Sequence, residues 1–311
     1  MAFHKLNLLS SEEPFNHYEA IAKSKYKYKA TLYGTDSTDT TDSTDTSKST
    51  TYNIVKNCYS TYESNKETLE NVSPYSTFST SEKEALLHCY NGNTKKVKDL
   101  KDAIINNQNI HFKTKCAYCA ISDSHSIDHY LPKDIFPEFS IHSYNLVPSC
   151  SYCNSKKDEF FLDSDGHRII FNPYFEEVED EPILECIIEC LENCINSELK
   201  LKDGFSNKVC ENHLRTLNLL SRYKSELPRI LCSIMFDIIA NFEENQINTD
   251  GAKRVLERKL NEHERIQGIN SLDAVIIRAY LESDQLFDID YIRRMYFSMD
   301  RLSRSIGTSV S

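Results

Sequence analysis

Two Cys-x-x-Cys pairs, Cys116–Cys119 and Cys150–Cys153, stand thirty residues apart in this chain of 311. Each pair places two thiols on one tight turn, so the two turns together offer the four sulfurs of a tetrahedral structural zinc. A closed four-sulfur site has no open coordination position, and its ion holds structure without doing chemistry. The alternative is two chance pairs of buried thiols within one short segment, which requires the same coincidence twice. Eleven cysteines is an odd number. The N-terminal MAFHKLNLLSSEEPF has only a short apolar run followed by acids, a poor secretory leader. A cytoplasmic setting is therefore expected, in which paired cysteines bind metal rather than form disulfides.

Around that staple the composition favours helices. Seven glycines and eight prolines are too few for a many-turned sandwich or barrel, so the expected class is α+β, mostly α. No stretch approaches 18 consecutive apolar residues, and no membrane span is expected. The net charge of −11 divides as −1 over residues 1–110, −2 over 111–170 and −8 over 171–311. Its field repels polyanions, so binding phosphate requires a local patch, a metal cation or a partner.

Three regions are expected. Residues 1–78 contain the Ser/Thr/Asp run 34–50, which has no apolar residue and reads as a disordered loop. Before it, Lys23, Lys25, Lys27 and Lys29 alternate with Ser24, Tyr26 and Tyr28. On a strand the lysines would share one face, either a phosphate-tracking ribbon or simply a solvated surface. Residues 79–175 hold the cysteine module, preceded by two helices. Ser81–Glu84 reads as a capping box for the first, which stops at Asn91-Gly92, and Thr94 as the cap of the second, ending near Ile105. Asp163–Gly166 reads as a turn. Residues 176–311 read as mainly helical. The clearest helix carries Ile230, Ile234 and Ile238, and Ser271 and Asp290 are expected N-caps. Residues 183–195 suit a helix or a short buried strand about equally. Cys186, Cys190 and Cys194, spaced by four, read as small apolar residues and not as a second metal site.

Between the knuckles lie Asp128-His129 and, further on, Tyr144-Asn145-Leu146-Val147-Pro148. Directly after the last cysteine come Asn154, Lys156 and Lys157. Singly each has a plain explanation, a satisfied core histidine or a helix cap. Together they match a specific need. Phosphodiester hydrolysis requires a base near neutral pH, a group that orients it, and a cation on the departing oxygen. Histidine suits the first, an amide or carbonyl the second, and a hard divalent ion held by carboxylate and amide the third. His125 and His142 lie near the motif, either a stand-in ligand or, as the plainer reading, a surface group.

This order, C-x-x-C, D-H, N-L, C-x-x-C-N with a lysine close behind, resembles the HNH branch of the His-Me finger (ββα-metal) endonucleases. The resemblance implies a zinc-stapled ββα-metal core embedded in a helical body. It implies His129 as general base, Asn145 as the residue orienting it, and Asp128 with Asn154 as ligands of a catalytic divalent ion, usually Mg²⁺. Asn154 stands where many members have histidine. Beyond the motif, Lys133, Lys156 and Lys157 are candidate phosphate contacts or simply solvated lysines, and the nucleic acid is expected to be DNA. Similarity to HNH proteins of bacterial anti-phage systems, retron-associated and Septu-type, extends to Phe136–Phe139, Asn172–Phe175 and Asn212–Tyr223. Those nucleases act with a partner ATPase, and their segment after the motif begins with strands, which tips 183–195 towards strand. The competing expectations are a zinc-ribbon module that binds nucleic acid without cutting, and a regulatory subunit whose working surface is the acidic helical region.

Overall fold

The computed structural model describes residues 5–9, 12–35, 47–177, 181–244 and 247–307. Most of the low-complexity run, 36–46, lies outside these residues. Its two ends pair as a short ribbon, β1 (Gly34–Thr35) with β2 (Ser47–Lys48). The chain is α+β and mostly α, with three small two-stranded antiparallel sheets among the described residues. No described helix is long and apolar enough to cross a membrane.

The chain divides into two compact units. The larger comprises Lys5–Glu177 together with Lys208–Leu217. The expected break after residue 78 thus falls inside this unit, whereas the one at 175/176 falls beside its edge. Its elements are α1 (Pro14–Ser24), α2 (Lys29–Leu32), α3 (Thr50–Ser64), α4 (Thr80–Asn91), α5 (Lys95–Asn106), β3 (Ser126–His129), β4 (Leu146–Ser149), α6 (Ser151–Lys157) and α7 (Lys208–Thr216). α4 starts from a capping box formed by Ser79 and Glu82, two residues earlier than Ser81–Glu84, and ends at Gly92. Thr94 stands at the N-cap of α5, although its side chain makes no capping bond.

The lysine-tyrosine segment is helical, not a strand, and its lysines do not share a face. Lys25 is buried and donates from Nζ to the His88 carbonyl, 3.0 Å away, at the end of α4. That carbonyl also accepts from Gly92 N at 2.9 Å, so the ammonium adds a second, charge-assisted bond where the helix dipole favours a cation. It also explains Gly92, where a Cβ would lie 2.6 Å from that ammonium.

With 18 tyrosines and no tryptophan, most of the largest fully buried side chains are phenols. Buried tyrosine hydroxyls need acceptors, and here they find backbone carbonyls. Tyr62 donates to Tyr144, Tyr130 to Ile170 and Tyr174 to Leu146, at 2.7–3.0 Å. His142 is wholly buried, stacked 4.1 Å from the Tyr62 ring with Glu63 3.4 Å from its Nε2, which overturns the expectation of a surface role.

Of the described residues, the smaller unit comprises 181–207, 218–244 and 247–307. Residues 183–195 do form strand, β5 (Leu184–Cys190), paired with β6 (Ile195–Leu201). On β5 Cys186 is buried and Cys190 half-buried, while Cys194, in the turn to β6, is exposed, so of the three only Cys186 is a buried core residue. α8 (Leu219–Glu244), α9 (Thr249–Gln267), α10 (Leu272–Leu281) and α11 (Ile289–Gly307) complete it, with α10 packed on β5, α8 and α9. Ser271 caps α10 through Ala274 N. The cap of α11 is Asp288, not Asp290, its Oδ1 accepting from the amides of Asp290 and Tyr291.

Candidate active site

β3, β4 and α6 follow one another as a ββα unit. In the sheet Ser126 faces Ser149, Asp128 faces Val147 and His129 faces Leu146. The first knuckle is a tight turn in which Ala120 N donates to the Cys116 carbonyl and Ala120 takes a positive φ of 56°. It is tied to the sheet by Ala117 N donating to the Pro148 carbonyl at 2.9 Å. The second knuckle opens α6, with Cys150 as N-cap accepting from Cys153 N.

These turns bring all four sulfurs within 4.8 Å of one another, each cysteine buried. Hydrogen bonds within the cluster divide the four thiols, holding Cys150 and Cys119 below their ordinary values and pushing Cys116 and Cys153 above theirs. Four buried sulfurs this close together, presented by two tight turns, are a donor set that fits a structural zinc.

Beside the cluster, Asp128, His129 and Asn154 line one open cleft of about 510 Å³, together with Tyr90, Lys133, Asp134, Asp158 and Glu159. Consecutive side chains on β3 turn to different neighbours, as alternation requires. Asp128 faces the first knuckle and α6. Its Oδ2 accepts from the Tyr118 hydroxyl at 2.8 Å and lies 3.1 Å from Lys157 Nζ. Burial raises its carboxyl pKa, opposed chiefly by the Lys157 charge. His129 faces α4, its ring 4.4 Å from the edge-on ring of Tyr90. The Ser140 carbonyl, 2.9 Å away, accepts from Nε2. A carbonyl cannot donate, so the ring proton sits on Nε2 and Nδ1 carries the lone pair. Burial, reinforced by the charges of Lys133, Lys157 and Lys101, lowers the imidazole to about 3 and keeps it neutral.

Asn145 is wholly buried and bonds to backbone: Oδ1 accepts from Leu131 N, and Nδ2 donates to the carbonyls of Leu131 and Phe139. It thus ties down the loop that presents Ser140, and its bond partners do not include the His129 ring. Asn154, half-buried, sits one turn into α6.

The lysines separate. Lys157 has no exposed surface and is held by Asp128 and by the His129 carbonyl at 2.7 Å, so the expectation that it contacts phosphate is overturned. A buried ammonium already paired is not available to a solvent-borne ligand. Lys133 lines the cleft but is paired with Asp134 at 2.8 Å. Lys156 is exposed on α6, and His125 is exposed outside the cleft lining.

The sequence reading did not single out Tyr118, Tyr90, Ser140 or the acidic rim. Tyr118, between two cysteines, carried a positional signal; Ser140, acting through its backbone, carried none. Asp158 takes φ 47°, ψ −125°, a conformation costly for a side-chain-bearing residue, at the mouth of the cleft.

Comparison with known proteins finds two partial similarities. Protein ea31 of Escherichia phage lambda is 27% identical over 129 residues, 39% of this chain and 43% of that protein. Septu protein PtuB of Bacillus thuringiensis is 42% identical over 48 residues, 14% of this chain and 19% of that protein. The chain thus spans less than half the length of these curated relatives. No family model and no solved structure matches.

Proposed function

We propose that this chain is a metal-dependent HNH-type endonuclease that hydrolyses phosphodiester bonds, with DNA as substrate, as the nuclease effector of a bacterial anti-phage system. The observation that carries this reading is that Asp128, His129 and Asn154 line one cleft next to a four-thiol cluster, with the His129 proton engaged by Ser140. The short similarity to a Septu protein supports the defence setting.

In this reading His129 Nδ1 accepts a proton from the attacking water while Nε2 keeps its bond to Ser140, which fixes tautomer and ring direction. Asp128 and Asn154 offer oxygen donors at the same cleft, a set that suits a hard ion such as Mg²⁺. Such an ion, when bound, supplies positive charge to the phosphate and the leaving oxygen. Asn145 holds the loop that carries the Ser140 acceptor, so it orients the base at one remove.

With Lys157 buried, Lys133 paired and Asp134, Asp158 and Glu159 on the rim, the cleft has little free positive charge for a polyanion. That favours delivery of the nucleic acid by a partner, such as the ATPase of a defence system. A divalent-ion screen on plasmid, single-stranded DNA and RNA, with and without a defence-system ATPase, tests the reading. Mg²⁺- or Mn²⁺-dependent cuts that leave a 5′-phosphate are expected. Binding without cleavage under every ion and partner condition would overturn it in favour of a binding module.

A further inference from the structure

Among the buried groups that the hydrolytic reading leaves unused, one set converges on Asp128. His213, on α7, has no exposed surface, and both ring nitrogens are bonded. Phe171 N lies 3.2 Å from Nδ1 and can only donate to it, so the proton is on Nε2. That proton is given to the Tyr118 carbonyl at 2.9 Å. Tyr118, equally buried, then donates its hydroxyl to Asp128 Oδ2 at 2.8 Å. The chain of bonds runs from a segment ninety-five residues downstream, through the turn between two thiols, to the carboxylate of the cleft.

We propose that His213 and Tyr118 are positioning residues that set the rotamer of Asp128 and thereby the affinity of the cleft for its divalent ion. This rests on the reading of Asp128 as an ion ligand. A carboxylate on a strand can swing about two torsions, and each fixed bond to one oxygen narrows where the other points. Two donors on Oδ2, Tyr118 and Lys157, leave the carboxylate little freedom. Groups that orient a ligand in this way commonly change metal affinity by about ten- to a hundredfold when removed. His213 acts on the backbone of Tyr118, which explains why an α7 histidine packs against the knuckle.

The test uses the zinc-replete full chain and Mn²⁺ alone, with binding read from the spectrum of the free ion and zinc content measured in parallel. Wild type binds Mn²⁺ and Asp128→Asn abolishes that binding. Tyr118→Phe, which removes one oxygen, weakens Mn²⁺ by about tenfold or more with zinc unchanged. His213→Ala weakens it in the same direction, His213→Gln recovers part of the loss, and His213→Ala adds little once Tyr118 is Phe. Wild-type Mn²⁺ affinity in Tyr118→Phe, or full additivity of the two losses, overturns the relay while leaving the ion site standing. Absence of Mn²⁺ binding by wild type itself would instead sink the ion-site reading and the relay with it. Should His213→Ala fail to fold, Tyr118→Phe decides alone.

Discussion

Lys157, with no exposed surface, lies 3.1 Å from Asp128 Oδ2 and donates to the carbonyl of His129. One ammonium thus bridges the two adjacent residues on which the proposed chemistry depends. A buried ion pair is weak evidence of net stability, but breaking one side of it is costly because the other charge is left behind. The lysine after the second knuckle is an internal counter-ion, and it ties α6 to β3.

Lys157→Met should destabilise the larger unit by about 3 kcal/mol or more. Lys156→Ala, on the exposed side of the same helix, should change stability by about 0.5 kcal/mol at most. Urea midpoints of the two variants check this. Equal effects would remove the structural role given to Lys157.

Metal analysis of the purified chain should return one zinc per molecule. Cys116→Ser or Cys153→Ser should abolish it and lower the unfolding temperature sharply, since the four thiols are buried and close enough to hold one ion. A zinc-free chain with the same unfolding temperature would refute the staple.

Asn145→Ala removes three backbone bonds that hold the loop from Leu131 to Phe139. A loss of about 1–3 kcal/mol is expected from the groups left unpaired. Cleavage should fall more than Mn²⁺ binding does, because the loop carries the acceptor for His129 and not the ion ligands. An equal fall in both would contradict that division.

His213 is buried and neutral, its pKa lowered to about 4 by burial. The unfolded ring titrates near 6.5, so below that pH the unfolded chain takes up the proton first. Its contribution is complete above about 6.5 and is lost as pH falls towards 4. Between pH 6.5 and 5.5 wild type should therefore lose up to about 1 kcal/mol more than His213→Gln, read as urea midpoints. Parallel losses would show that the ring is not held neutral.

Much of the site could be read from residue order, because the motif packs its chemistry into thirty-nine positions from Cys116 to Asn154. The thiol cluster and the shared cleft of Asp128, His129 and Asn154 need only short-range turns to form. What order could not show was environment. Lys157 and Lys156 are neighbours in sequence, and only the turn of α6 sends one inward and the other to solvent. Ser140 acts through a carbonyl that every residue possesses, and His213 reaches Tyr118 only through tertiary packing. The lysine-tyrosine alternation misled for a related reason: period two suggests a strand, but packing set the local structure, with Lys25 turned inward onto α4. Aromatic contacts such as Tyr62 with Phe139, which join residues on either side of position 78, were likewise invisible in residue order.

The most direct test of the account compares wild type with His129→Ala, each carrying its zinc, under the divalent ion and partner that support cutting. The account predicts that wild type cleaves and that His129→Ala, folded and with zinc and Mn²⁺ bound as in wild type, loses cleavage by at least about a hundredfold. Cleavage by His129→Ala at the wild-type rate would contradict it.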